Sequence, residues 1–325
     1  MNYCHMVKKL KELGEFGLID RIKSGIRIPE GMTGIGDDCA VIPQGNGVDL
    51  LVSTDMLVEG THFIMDDIRP YRLGWKSAAV NLSDIAAMGG LPVATFLSFA
   101  LPEGLDSGWT DEFFQGYNDI SNRYHCVLLG GDTTASPDKV CVSVAILGRC
   151  MSGKAIMRSG ARDGDKICVT GYLGDAGGGL KVILEGARRN SDAQALIAMH
   201  YQPIPRVEEG LKLAVTEGVH SMIDISDGIG SDLRHILRAS RKGAEVNVNS
   251  LPLSDELLRT CRRNGWDPLE LAISGGEDYE LLFTADPDAE IDVPHTVIGR
   301  ITDSGRLDWL GTDRDFSGYR HFENN

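Results

Sequence analysis

Apolar and polar residues follow two different periods along this chain, and the two periods predict an alternation of strands and helices. Over residues 71–88 the apolar residues recur at helical spacing, and Gly89, Gly90 and Pro92 then end the helix. Over residues 140–147 apolar and polar residues alternate, as in a strand with one buried face. The same criteria predict further strands at 49–55, 93–101, 126–129, 166–171, 221–225, 280–284 and 296–301, and further helices at 106–124 and 229–240.

Glycine and charged residues become frequent over residues 148–164, between two stretches that each alternate strands with helices. A chain of 325 residues is long enough for two domains that each bury a core. We therefore place a boundary near residue 155, between an N-terminal domain (1–155) and a C-terminal domain (156–325). The predicted fold class is α/β (α+β), with two domains that are each a mixed sheet covered by helices.

The chain carries 47 acidic and 32 basic side chains, so its formal net charge is −15. A nucleic-acid-binding protein usually has a basic face, and this balance therefore predicts neither DNA nor RNA as a partner. An acidic protein can still bind phosphate groups if a divalent cation lies between the two sets of anions.

The cysteines and the N-terminal residues point to a reducing compartment. The seven cysteines are odd in number, scattered and never spaced C-x-x-C, which disfavours a disulfide framework and a structural zinc site. The first 22 residues lack a continuous apolar segment, and no window has the roughly 18 apolar residues that a membrane span needs. We therefore expect a cytoplasmic protein that has no membrane partner.

Short apolar runs repeatedly end in an acidic residue beside glycine, serine or threonine. The pattern occurs at GIGDD (34–38), STD (53–55), NLSD (81–84), GGD (130–132), DISDG (224–228) and GGED (275–278). Aspartate and glycine are common turn residues, so one such place indicates a turn as readily as a ligand. Carboxylates that converge on one crevice repel each other, however, and Mg²⁺ prefers oxygen ligands and bridges to phosphates. The repeated pattern favours a metal-bound phosphate site without naming the substrate.

Two further features bear on such a site. Asn81 and Asp84 lie three residues apart on one face of an apolar helix, so Asp84 is either a solvent-facing residue or a ligand. Arg158 and Arg162 lie in a glycine-rich loop, where their guanidinium groups either bind phosphate oxygens or lie in solvent. The histidines show no zinc-binding spacing and no G-x-S-x-G motif is present, so zinc and covalent hydrolase chemistry lack support.

These segments, taken in order, resemble the thiamine-monophosphate kinases, a family within the superfamily of the aminoimidazole-ribonucleotide synthetases. Each motif alone is weak, but the ordered set is specific and spreads from residue 14 toward the C-terminus. The motifs are GEF (14–16), GIGDDCA (34–40), STDMLVEGTHF (53–63), AVNLSDIAAMG (79–89), GGDTT (130–134), RSGA (158–161), VTG (169–171), DISDG (224–228) and SGGEDYEL (274–281).

The resemblance implies that ATP phosphorylates thiamine monophosphate to thiamine diphosphate with the help of several Mg²⁺ ions. It also implies a PurM-like fold, in which the N-terminal domain binds ATP and Mg²⁺ and pairs in a homodimer. The C-terminal domain would complete the nucleotide and substrate site. Because the attacking phosphate oxygen is already ionised at neutral pH, such a reaction needs positioning and charge neutralisation rather than a strong base.

The resemblance also implies roles for individual residues. Those that look like Mg²⁺ ligands, directly or through water, are Asp38, Ser53, Thr54, Asp55, Asp84, Asp132, Asp224 and Asp227. Those that look like nucleotide contacts are Gly131, Asp132, Arg158 and Ser226, and those that look like contacts to thiamine monophosphate are His62, Glu277 and Tyr319. Catalysis is expected to depend on Asp38, Asp84, Asp132 and Asp227.

Several other functions share some of these features. A selenophosphate synthetase-like member of the superfamily would use a reactive cysteine near the first glycine-rich loop, where Cys39 lies; its apolar neighbours predict a packed thiol instead. A hydrogenase-maturation member would carry a C-terminal cysteine, which is absent here. From other classes, the acidic residues could serve a metal-dependent phosphohydrolase or a non-catalytic metal-binding module.

Overall fold

The computed structural model describes residues 10–314 and residue 316, and its strands form two separate mixed sheets. The first sheet has the strand order β1-β2-β5-β3-β4, with β3 and β4 parallel and the other neighbours antiparallel. Its strands and the helices of this half are α1 (Leu10–Ser24), β1 (Ala40–Gly45), β2 (Val48–Val58), α2 (Pro70–Ala87), β3 (Leu91–Pro102), α3 (Ser107–Arg123), β4 (Val127–Ser136) and β5 (Cys141–Met151).

The second sheet has the order β11-β8-β10-β6-β9-β7, with β11 and β8 parallel. Its elements are β6 (Lys166–Val169), α4 (Asp175–Leu184), α5 (Ser191–Tyr201), α6 (Val207–Leu213), β7 (Val219–Asp224), α7 (Ile229–Ser240), β8 (Gly243–Asn247), α8 (Asp255–Asn264), α9 (Pro268–Ser274), β9 (Leu281–Ala285), β10 (Thr296–Thr302) and β11 (Leu307–Leu310). A 3₁₀ turn, Val248–Ser250, follows β8. These two helix-covered mixed sheets confirm the predicted α/β (α+β) class.

Helix α2 is the central element, because it packs on both halves of the molecule. It contacts α3 and strands β2, β3 and β5 on one side, and α5, α6 and β7 on the other. Most of its residues are buried, which explains why its sequence is almost continuously apolar. The polar residues that it buries, among them Lys76, Asn81 and Ser83, therefore need partners inside the protein.

Strand β4 differs from the prediction. The pattern predicts a strand that ends at residue 129, whereas β4 continues through the two glycines and Asp132 to Ser136. Leu129 is an extra residue that forms a bulge in β4, because Leu128 pairs with Thr95 of β3 and Gly130 with Phe96, and the parallel pairing continues beyond it. Glycine favours the end of a strand in a sequence pattern, but here the pairing with β3 keeps the chain extended.

No helix in the part of the chain that the structure describes is both long enough and apolar enough to cross a membrane.

Two glycines allow α2 and α3 to approach closely. A Cβ atom on Gly74 would lie 1.9 Å from the carbonyl oxygen of Phe113, and one on Gly116 would lie 1.8 Å from that of Tyr71. Since a backbone carbonyl cannot move aside as a flexible side chain can, any larger residue must separate the two helices.

We expect Gly74→Ala to destabilise the protein by about 1–3 kcal/mol, the usual cost of overpacking a core. Gly104→Ala is the matched control, because a Cβ atom there meets nothing within 4 Å. Urea unfolding of the two variants measures the difference, and equal midpoints would contradict the close approach of the helices.

Candidate active site

Three acidic side chains from both halves of the molecule converge in its interior. Asp38 precedes β1, Asp84 lies in the last turn of α2, and Asp224 ends β7. One carboxylate oxygen from each lies within 4.8 Å of the others. Asp38 and Asp224 are buried and Asp84 is half-buried. Carboxylates this close repel strongly, so a cation or protons must offset their charge.

Hydroxyl groups hold two of these carboxylates in place. Ser53 on β2 donates a hydrogen bond of 2.5 Å to Oδ2 of Asp84. Ser83 on α2 donates one of 2.5 Å to Oδ2 of Asp224, and so joins α2 to the second sheet. Ser83 lies within a quoted motif but is not among the residues predicted for the site. The neighbouring Asp84 was recognised as a candidate because it is acidic. A serine within a predicted helix has no sequence feature that indicates a binding site.

Asp38 and Arg158 form the charged side of the cluster. The Arg158 guanidinium donates a 2.6 Å hydrogen bond to Oδ1 of Asp38, and the Arg158 backbone N–H donates one of 2.6 Å to Asp37. Oδ2 of Asp38 and Nε of Arg158 are both buried without a hydrogen-bond partner. An unpartnered buried acceptor among three carboxylates fits a hard cation, and an unpartnered guanidinium N–H fits an anion such as phosphate.

The crowding also shifts the acid–base properties of the carboxyl groups. Burial, followed by the Asp38 carboxylate, raises the pKa of Asp224 to about 8. Burial and Asp38 likewise raise the pKa of Asp55, on β2, to about 6. Burial and the carboxylates of Asp55, Asp224 and Asp38 raise the pKa of Asp84 well above its usual value. These raised pKa values favour protonation of the crowded carboxyl groups, and a bound cation would displace the protons.

Strand alternation separates the predicted ligands on the first sheet into two groups. Ser53 and Asp55 lie on the inner face of β2, which packs on α2, and Thr54 between them is exposed on the outer face. Asp132 pairs with Ser98, which also lies on the outer face, and Asp132 itself is exposed. The side chains of Thr54 and Asp132 therefore lie away from the carboxylate cluster of their own chain.

The sequence pattern could not assign Asp132 to a face of the sheet, because it places Asp132 after a strand rather than within one. Gly131, the preceding residue, adopts φ +155° and lies on the same edge strand. A Cβ atom there would lie 1.7 Å from the carbonyl oxygen of Leu97. The glycine is thus required by its close approach to β3, whatever it binds.

The loop after β7 carries a second pair of acids beside Asp224. The backbone N–H of Asp227 donates a 3.1 Å hydrogen bond to the carboxylate of Asp232 in the first turn of α7. Burial, then the carboxylates of Asp227 and Asp224, raises the pKa of Asp232 well above its usual value. Asp227 and Ser226 are half-buried beside it. Asp232 is not among the predicted site residues, although an acidic residue five positions after Asp227 and in the first turn of a predicted helix is a sequence signal for such a site.

The predicted contacts to thiamine monophosphate lie in two segments and the C-terminus. His62 is half-buried after β2, and its Nδ1 accepts a 3.0 Å hydrogen bond from the backbone N–H of Val58. Glu277 has one carboxylate oxygen 2.7 Å from Nζ of Lys76 and the other 3.0 Å from Nδ1 of His200. Tyr319 lies outside the described residues.

The acidic segment 275–278 belongs to the repeated sequence pattern, but its side chains do not join the carboxylate cluster of Asp38, Asp84 and Asp224. The carboxylate of Asp278 instead accepts hydrogen bonds from the backbone N–H groups of Gly174 and Ala176 at the start of α4. Glu280 accepts a 2.6 Å hydrogen bond from Thr170 and pairs with Arg206. These acids stabilise the fold locally, which one-dimensional spacing cannot distinguish from metal binding.

Cys39 is the packed thiol that its apolar neighbours predict. It is 1% exposed, and burial together with nearby carboxylates raises its pKa well above the usual value. A protonated, inaccessible thiol is a poor nucleophile, which disfavours the selenophosphate synthetase-like alternative.

Comparison with known proteins agrees with this architecture. Residues 36–150 match the AIR synthase related protein N-terminal domain, and residues 162–309 match the corresponding C-terminal domain. The thiamine-monophosphate kinase of Salmonella typhimurium is 41% identical, with 95% of this chain and 98% of that protein covered. The Aquifex aeolicus enzyme is 36% identical over 97% of this chain and 100% of its own length.

A solved structure, AaThiL complexed with AMPPCP and TMP, superimposes with a TM-score of 0.90. It is 35% identical in sequence and covers 97% of this chain and 99% of its own. Identity of this extent over both domains means that the chain belongs to the thiamine-monophosphate kinase family, within the AIR synthase related proteins.

Proposed function

We propose that this protein transfers the γ-phosphoryl group of ATP to the phosphate of thiamine monophosphate, which yields thiamine diphosphate and ADP. The observation that carries the proposal is the buried cluster of Asp38, Asp84 and Asp224, with its unpartnered carboxylate oxygen, in a member of this kinase family. The cluster has the donor set that Mg²⁺ requires, and bound Mg²⁺ would neutralise the phosphate charges of both reactants.

We propose that Asp38, Asp84 and Asp224 hold Mg²⁺ and that Ser53, Asp55 and Asp227 complete the sites of several ions. Ser53 and Ser83 keep the first carboxylates oriented through their hydrogen bonds, so little reorganisation is needed when the metal binds. Arg158 would donate its unpartnered Nε–H to a phosphate oxygen of ATP while its other nitrogen stays on Asp38. Ser226 remains a proposed nucleotide contact.

No general base is required, because the acceptor phosphate is already anionic. The protein therefore has to hold the two anionic reactants in line and exclude water, since water would compete as the acceptor. His62 and Glu277 are proposed to contact thiamine monophosphate on the side of α2 that faces the second sheet. Tyr319 remains a proposed third contact.

We further propose that the first sheets of two copies pair in a homodimer. The outer face of this sheet exposes Met56, Val93, Phe96, Val127 and Leu129, and β4 is an edge strand. An exposed apolar sheet face with a free edge favours association. A partner copy would also bring Thr54, Gly131 and Asp132 into the assembly, where their predicted roles as ligands can be tested.

We also propose a cytoplasmic location. The six cysteines in the described part of the chain are all free thiols, as expected in a reducing compartment.

The assay of the function supplies ATP, Mg²⁺ and thiamine monophosphate, and we expect thiamine diphosphate and ADP in equal amounts. Asp84→Asn should keep the fold but lower turnover by about 100-fold or more, because a metal ligand loses its charge. Asp111→Asn is the control: it makes the same change at an exposed residue of α3 and should leave turnover unaltered. Free phosphate released without an acceptor would instead indicate a phosphohydrolase, and no turnover would indicate a binding module.

Magnesium should stabilise the protein more at pH 8 than at pH 6. The pKa of Asp224 is raised from 3.8 to about 8, so the folded state binds more protons than the unfolded state within that window. The protonated Asp224 therefore contributes to the free energy of unfolding at low pH, and this contribution is lost as the pH rises toward 8. Bound Mg²⁺ restores it, because the cation offsets the ionised carboxylates.

The melting temperature with and without Mg²⁺, measured at both pH values, tests this expectation. The gain should shrink in Asp84→Asn, and a gain that is equal or smaller at pH 8 would contradict a shared carboxylate site.

The homodimer is tested by Leu129→Lys, which places a charge on the exposed apolar face of the first sheet, at its β4 edge. We expect a shift from dimer to monomer in light scattering coupled to size exclusion, because burial of an unpaired ammonium is costly. Val215→Lys replaces another exposed apolar residue, outside this sheet, and this variant should remain dimeric. A wild-type protein that is monomeric at micromolar concentration would overturn the proposed pairing.

A further inference from the structure

A buried lysine lies between the two residues proposed to contact thiamine monophosphate. The Lys76 side chain on α2 is completely inaccessible to solvent, and its Nζ is 2.7 Å from Oε1 of Glu277. The same ammonium donates a 3.3 Å hydrogen bond to the backbone carbonyl oxygen of His62. One cation therefore links both segments of the proposed subsite, although no sequence motif pointed to it.

Glu277 is held from several directions. Its second carboxylate oxygen lies 3.0 Å from Nδ1 of His200 on α5, and its backbone N–H donates a 2.8 Å hydrogen bond to Ser226. Its backbone adopts φ +67°, a left-handed conformation that a residue other than glycine rarely adopts unless its surroundings fix it. The contacts to Lys76 and His200 supply that constraint.

The charges of Lys76 and Glu277 keep these two side chains together. Burial alone would raise the pKa of Glu277, but the adjacent Lys76 ammonium and His200 hold that pKa well below its usual value. Burial, followed by the Lys76 charge, lowers the pKa of His200, which favours the neutral imidazole. A buried ammonium and a buried carboxylate each need the other, because an unpaired buried charge is strongly unfavourable. Lys76 thus fixes where the Glu277 carboxylate lies.

We propose that Lys76 is a positioning residue for the acceptor substrate: it holds the Glu277 carboxylate and the His62 segment in the geometry that binds thiamine monophosphate. The inference rests on the proposed function. Lys76 makes no contact with the carboxylate cluster or with Arg158 among its described bonds, so ATP binding should not depend on it. Its effect should therefore appear in the KM for one substrate only.

Lys76→Met keeps an unbranched apolar side chain of similar size and removes the ammonium group. We expect the KM for thiamine monophosphate to rise about tenfold or more, with the KM for ATP within about twofold of wild type. Lys181→Met is the matched control, because Lys181 on α4 pairs with the exposed Glu185 and not with Glu277, His200 or the His62 segment. Its KM values should equal those of wild type.

His200→Gln provides a second, independent test. The change replaces one neutral side chain with another, so it leaves no buried charge unpaired even if Lys76→Met fails to fold. It removes the contact on the other oxygen of Glu277, and we expect the same selective rise in KM, smaller in size. Circular dichroism and the melting temperature establish that each variant is folded.

The outcomes separate a positioning role from a structural one. A loss of folded fraction lowers apparent kcat but leaves both KM values unchanged, and this result would overturn the proposal. An equal rise in both KM values, or unchanged KM values in His200→Gln, would also overturn it. If wild-type protein forms no thiamine diphosphate, the proposed function itself fails, and the inference fails with it; product formation by wild type confines any failure to Lys76.

Discussion

Electrostatic repulsion among buried carboxylates is the constraint on which this structure depends. Asp38, Asp84 and Asp224 come from a turn, a helix and a strand, and their oxygens lie within 4.8 Å of each other. Such an arrangement is stable only with protons or a cation in it, because the surrounding protein excludes the water that would otherwise screen the charges. The mutual repulsion that destabilises the carboxylates when they are alone makes them a strong binding site for magnesium and, through magnesium, for phosphates.

Helix α2 organises the molecule around this cluster. Its apolar surface fills the space between the two halves, and its buried polar residues each reach a different segment. Ser83 bonds to Asp224, Lys76 pairs with Glu277, and Asp84 accepts a hydrogen bond from Ser53. Packing and chemistry are therefore coupled, since the close contact of α2 with α3 at Gly74 also sets the position of the site.

Acidic residues with the same local sequence have different tasks in this fold. Asp84 and Asp224 face one another, whereas Asp278 binds the start of α4 and Glu280 pairs with Arg206. Asp132 shares the glycine–aspartate pattern and yet lies on the opposite face of the first sheet. The difference lies in which backbone amides, cations and neighbouring strands meet each carboxylate, and these partners are distant in sequence.

Periodicity alone located most strands of the described chain but only three of its helices, α2, α3 and α7, because burial of one face imposes a period that the residues must follow. The ordered motifs identified the family, and the apolar context of Cys39 identified an inert thiol. Tertiary structure alone decided that β4 continues past its glycines, that Asp132 lies on the outer face of the first sheet, and that Lys76 belongs beside the site. These facts depend on strand pairing and on contacts between residues tens to hundreds of positions apart, which no local pattern of side chains encodes.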